Sequence, residues 1–142
     1  MSNAMLKRFF RWLFRISSRE EQTVKSEVKP VSLPTKTTTI LNGQSVSGAL
    51  ASGGGNLIGI ISPTTTVGTG LAVQVSFDFG NTYVDLYDGA GNLFVVPIIH
   101  DALISGLDPA MSAAQYVKIR SVNNANAAVN ETADRLFTFV YR

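Results

Sequence analysis

The 142-residue chain has no cysteine and a single histidine, His100. Those two shortages exclude a disulfide scaffold, thiolate chemistry of any kind, and every metal site that needs a pair of histidines. Charge is also scarce, with Asp, Glu, Lys and Arg forming 15% of the residues against 45% hydrophobic. No apolar run approaches the ~20 residues that a bilayer-spanning helix requires. Hydrophobic content of this order with so few charges excludes wholesale disorder, and the length suits one domain with a tail. No repeat of 20 to 50 residues is present.

What is there is placed unevenly. Residues 1–36 hold eight Lys and Arg against three Glu, a net of +5, whereas residues 37–142 hold four basic against seven acidic residues, a net of −3. All 12 glycines fall between Gly43 and Gly106. A boundary near residue 36 therefore divides a basic leader from an acidic, glycine-punctuated body. Met1 to Ala4 reads as the remnant of a cleaved expression tag and is set aside. Residues 5–21 form the expected helix, residues 22–36 a linker carrying Pro30 and Pro34, and residues 37–142 the body.

On a helical wheel Leu6, Phe9, Phe10, Trp12, Leu13, Phe14 and Ile16 share one face, and Lys7, Arg8, Arg11, Arg15 and Arg19 share the other. Left open to water, such an apolar face is not tolerated, so these seven residues are expected to drive oligomerisation or docking. The available covers are a membrane interface, a partner protein, copies of the same helix, or the chain's own body. Arg11 interrupts the apolar stretch and no small-residue cleavage site follows it, which argues against a secretory signal.

The body reads as strands. Thr37–Leu41 ends at the Asn42-Gly43 turn, Ser45–Leu50 is a weak strand, and Leu57–Ser62 is a short apolar run stopped by Pro63. From Leu71 to Phe79, Leu71, Val73, Val75, Phe77 and Phe79 alternate with smaller or polar residues, which predicts one core face and one polar face. Gly80-Asn81 and Asp88–Asn92 then predict hairpins into Thr82–Asp88 and Leu93–Ile99, giving a three-strand antiparallel meander. Leu107–Ala110 predicts a single helical turn, and Gln115–Val122 and Leu136–Arg142 supply the last strands around a polar loop, Asn123–Asn130. The expected fold is an all-β antiparallel sandwich or jelly roll behind an amphipathic helix and an extended linker.

Residues with chemical potential are few. His100-Asp101 lacks a nucleophile to serve, and adjacent strand residues face opposite ways. Asp85 and Asp88 are oxygen donors of the kind calcium takes, but the spacing departs from a calcium loop, so no metal site is assigned. The Ser52–Asn56 glycine run lacks the Lys and Ser/Thr of a phosphate loop. Lys118 and Arg120 share a strand face with Tyr116, an arrangement suited either to stacking on a ligand or to snorkelling over the sheet. With the body at −3, nucleic acid is not an expected partner.

Two resemblances sharpen this. Val75–Tyr83 is similar to the Ser-x-Asp-Gly-x-x-Trp hairpin of discoidin-like, galactose-binding-type jelly rolls, through Ser76, Asp78, Gly80 with one residue inserted, and Tyr83 in the aromatic place. Gln115–Arg120 resembles that family's Arg-Tyr-Val-Arg-Ile strand, with Gln115 in place of Arg and no bracketing cysteines. More widely, residues 37–142 resemble small phage and prophage virion proteins. The matching pieces are the Thr-rich first strand, Gly43–Ser47, Asp85–Asp88, Leu107–Pro109, Tyr116–Ser121 and Ala133–Leu136.

The second resemblance implies a non-enzymatic decoration, fibre or tail-accessory protein with no cofactor. It would be a homo-oligomer, with a trimer favoured, contacting other virion proteins and residing in the particle or in the bacterial cytoplasm before assembly. Two alternatives stay open. One is a carbohydrate-binding module in which Tyr83, Tyr87, Tyr116 or His100 contacts a glycan. The other is a peripheral protein whose leader lies on an anionic membrane surface.

Overall fold

The structure, a computed structural model, describes residues 32–52 and 55–142. The expected amphipathic helix, with Leu6, Phe9, Phe10, Trp12, Leu13, Phe14 and Ile16, lies outside the described residues, as does most of the linker. From Leu33 onward the chain forms one unit, in which the described residues make nine strands and one short helix. The strands are β1 (Thr35–Ile40), β2 (Leu50–Ala51), β3 (Leu57–Ile61), β4 (Gly70–Ser76), β5 (Val84–Asp85), β6 (Val95–Pro97), β7 (Leu103–Ser105), β8 (Tyr116–Val122) and β9 (Arg135–Tyr141). The helix, α1, spans Pro109–Ala113.

Two antiparallel sheets stack as a sandwich. The first runs β1-β9-β3-β7, and the second runs β2-β8-β4 with β5 and β6 both on the far edge of β4. Alternation decides what each sheet contributes to the space between them. From the first come Ile40, Ile60, Phe137, Phe139 and Tyr141, and from the second Leu71, Val73, Val75, Val117 and Ile119, all buried. Met111 of α1 closes the core. Asp108 caps this helix by accepting a hydrogen bond from the Ala110 amide at 2.8 Å, and Pro109 supplies its first turn, as the sequence predicts.

Three expectations are corrected. The long central strand ends at Ser76, three residues early, and Phe77 and Phe79 stand in solvent at 58% and 80% exposure rather than in the core. The cause is local: the Asp78 carboxylate gathers the Ser76 hydroxyl and both the amide and hydroxyl of Thr82, which folds the chain into a loop before the alternation can continue. The three-strand meander is replaced by a different arrangement. β5 pairs with Gln74 and Val75 and β6 with Gly70 to Ala72, so the two lie end to end along one edge of β4. The chain between them leaves the edge and returns, with the Phe94 amide donating to Leu86 O. Finally, the weak strand over Ser45–Leu50 shrinks to a single bridge at Val46 and the two residues of β2, while β7 forms where no strand is expected.

Candidate functional site

The loop Phe77–Tyr83 is over-determined. Gly80 donates from its amide to Ser76 Oγ at 2.9 Å, and Phe79 donates from its amide to Gln115 Oε1 at 2.7 Å. These bonds hold Phe79 at φ +60°, a left-handed conformation that costs a bulky side chain on the order of 1 kcal/mol. Hydrogen bonds from Thr82 and Ser76 keep the Asp78 carboxyl below its ordinary value. Beside the loop, Val75, Phe77, Asp78, Thr82 and Val84 line an open cavity of about 200 Å³.

Of the four residues expected to contact a glycan, two come together. The Tyr83 hydroxyl and the Tyr116 ring both flank Gly80, and Lys118 Nζ lies 4.2 Å above the Tyr83 ring centroid. Tyr87 sits on the excursion between β5 and β6, bridged to Leu93 and exposed. His100 lies at the opposite end of β4, three residues after Pro97, which pairs with Gly70, whereas Tyr116 pairs with Ser76. Its Nε2 is 2.9 Å from the Thr66 hydroxyl.

The two aspartates named as oxygen donors are both engaged. Asp85 Oδ1 accepts from Arg120 at 3.1 Å and Gln74 at 3.2 Å, while Asp88 Oδ1 accepts the amides of Ala90 and Asn92 and so closes its own turn. Among the described residues no three His, Asp or Glu side chains gather as metal ligands would.

The residue that sequence reasoning overlooked is Glu131. Only 1% exposed, its carboxylate accepts from the amides of Val67 (2.8 Å) and Gly68 (3.0 Å), from the Ser121 hydroxyl (2.7 Å) and from Arg135 Nε (3.0 Å). Burial alone would raise its pKa, but the four hydrogen bonds prevail and hold it below 4.5. It braces the β3–β4 connection against β8 and β9. The Glu131-Arg135 spacing of four is the one local signal, since the other partners are 10, 63 and 64 residues away.

The outer faces of the two sheets differ in kind. Ala72, Gln74 and Ser76 of the second sheet stand in register with Arg120, Lys118 and Tyr116, and Asp85 pairs with Gln74, so that face is charged and polar. On the first sheet the registers lay out three rows. They are Thr39 and Leu136; Thr37, Thr138, Ile61 and Leu103; and Thr35, Val140, Gly59 and Ser105. Not one of these positions carries a charge. Ile61, Leu103 and Leu136 remain 37%, 48% and 52% exposed. The central strands β9 (Arg-Leu-Phe-Thr-Phe-Val-Tyr) and β3 (Leu-Ile-Gly-Ile-Ile) are largely apolar on both faces, the pattern of strands covered on both sides.

No family model matches the chain, and neither the curated proteins nor the solved structures contain a match to it.

Proposed function

We propose that the protein is a non-enzymatic structural component that works by surface association, of the kind that phage and prophage particles carry as decoration, fibre or tail-accessory domains. The observation that supports this reading is the uncharged outer face of the sheet β1-β9-β3-β7, where Ile61, Leu103 and Leu136 stand partly exposed among threonines, a surface suited to contact with a partner. The short motifs that resemble virion proteins over residues 37–142 set the context. The apolar leader residues Phe9, Trp12 and Phe14 supply a second contact for gathering or anchoring copies. The test is the solution mass of the full chain by light scattering over a wide concentration range. An oligomer is expected, with its size reduced by Phe9→Glu and Trp12→Glu together, and a monomer at every concentration refutes the proposal.

A second reading is favoured by one specific cluster. Tyr116 and Lys118 of the opposite sheet, with Tyr83 of the adjoining loop, offer aromatic and cationic groups to a sugar ring. A glycan array read with the wild-type chain and with Tyr116→Ala addresses it. Binding lost in the variant supports it, and no binding by the wild type removes it.

A further inference from the structure

We infer that the cavity beside the loop Phe77–Tyr83 takes one neutral pyranose ring of a glycan, an inference that rests on the sugar-binding reading and moves its contact from Tyr116 to Phe77. The lining is Val75, Phe77, Asp78, Thr82 and Val84, so one carboxylate and one hydroxyl interrupt apolar walls. Phe77 and Val84 stand 58% and 59% exposed, and a ligand can cover both without disturbing the core.

Two features select the ligand. The first is the acceptor. Asp78 receives the Ser76 hydroxyl, the Thr82 amide and the Thr82 hydroxyl, which fill three of the roughly four acceptor positions of a carboxylate. One position is left for a donor. Closing lipid or an apolar protein surface over it would strip water from an ion without repayment. A sugar repays it, since one hydroxyl donates to Asp78 while the C–H face of the same ring lies on Phe77. A primary ammonium brings three donors to that single position, and a quaternary one calls for several aromatic faces where one ring lines the cavity. An acidic sugar would set its carboxylate against Asp78, so the ring is neutral.

The second feature is rigidity combined with size. The Phe79 amide is tied to Gln115 and the Gly80 amide to Ser76, so the loop that carries Phe77 is ordered before any ligand arrives. At about 200 Å³ the cavity falls below the roughly 300–1,000 Å³ that drug-sized ligands fill, which suits one ring with the rest of a glycan in solvent.

The probes are the methyl glycosides of glucose, galactose, mannose, N-acetylglucosamine and N-acetylneuraminic acid, together with tetramethylammonium. Each is added to the full chain and followed by saturation-transfer and amide-shift NMR, the amide spectrum also reporting the fold of every variant. At least one neutral sugar is expected to bind, and neither the acidic sugar nor the ammonium ion. Phe77→Ala should weaken that binding about tenfold, and Phe77→Tyr, which keeps the ring, should preserve it. Phe79 is more exposed on the same loop but does not line the cavity, so Phe79→Ala should change nothing. Sugar binding that survives Phe77→Ala overturns the inference, and its loss in Tyr116→Ala then keeps the sugar reading at the tyrosines. Equal loss in Phe77→Ala and Phe79→Ala, loss in Phe77→Tyr, or equal binding of the acidic sugar also overturns the inference alone. A wild-type chain that binds no sugar, whether or not it takes the ammonium ion, overturns the sugar reading with it.

Discussion

Removing the Glu131 carboxylate tests how the sandwich is braced. In Glu131→Ala the amides of Val67 and Gly68 lose their acceptor inside the protein, and Arg135 loses its carboxylate partner. Deleting one member of a buried ion pair costs about 3–5 kcal/mol. The Arg135 side chain is still 15% exposed and keeps Thr65 Oγ1 at 2.9 Å, which places the pair at the lower end of that range. Two orphaned amides add at least ~1 kcal/mol more, partly relieved if water enters the space left behind. The sum is about 4 kcal/mol, a large share of the roughly 5–15 kcal/mol that keeps a domain folded. In urea, with a slope near ~1.5 kcal/mol/M, the midpoint should fall by about 2–3 M at unchanged slope. Glu131→Gln keeps the volume and one acceptor oxygen but turns an amide donor toward other donors, and about 2 kcal/mol is expected. A midpoint for Glu131→Ala within ~0.3 M of wild type refutes the bracing role, because that shift corresponds to the ~0.5 kcal/mol of an ordinary surface substitution.

Four further outcomes follow from the same geometry. Acid should weaken the fold through Glu131: its folded pKa lies below the ordinary 4.5, so its contribution is complete above that value and is lost as pH falls through the folded value. The stability gap between wild type and Glu131→Gln, followed by urea melts from pH 7 to pH 3, should therefore narrow only below about 4.5, and a constant gap contradicts the assignment. Gly68→Ala should destabilise by ~1–3 kcal/mol, since a Cβ there would meet Ser121 Oγ at 1.8 Å and turn that hydroxyl away from Glu131; a thermal midpoint equal to wild type rules this out. Phe79→Gly should be neutral or stabilising by up to ~1 kcal/mol, because a left-handed residue loses its steric strain and an 80% exposed ring loses little burial. A loss beyond ~1 kcal/mol would mean that the ring supports the fold. Finally, Asp78→Asn should loosen the Phe77–Tyr83 loop, seen as faster amide exchange at Thr82, and unchanged exchange there contradicts its role as the loop's organiser.

Local chemistry made much of the sandwich legible in advance. β4 and β8 announce themselves through alternation, the Asn42-Gly43 turn through Gly43 at φ +80°, and α1 through Asp108 and Pro109. The errors arose where the decisive interactions are non-local or change the backbone path. The alternation from Leu71 runs on through Phe77 and Phe79, but the Asp78 loop and the Gln115 side chain, 36 residues beyond Phe79, override it. β7 is three residues, Leu-Ile-Ser, after a turn at Asp101 with φ +57°, too short to carry a period of its own. Glu131 sits in a polar stretch that resembles any exposed loop, and only the folded chain brings Val67 and Gly68 to it. Likewise Tyr83 and Tyr116 were legible as aromatics on polar strand faces, but their meeting beside Gly80 depends on how β5 approaches the sheet. The charge-free outer face was written in β3 and β9, whose apolar residues occupy both parities, yet it becomes a surface only when the registers align the threonines of β1 with Leu136, Thr138 and Val140.

Association through surface contacts is the central claim, and the most direct measurement is the solution mass of the full chain by light scattering with and without a charge at the centre of the uncharged sheet face, where Thr138 pairs with Thr37 and Ile61. The wild type should be an oligomer at micromolar concentration, and Thr138→Lys should lower its mass. A wild type that is monomeric at every concentration, or an oligomer whose mass Thr138→Lys leaves unchanged, contradicts the account.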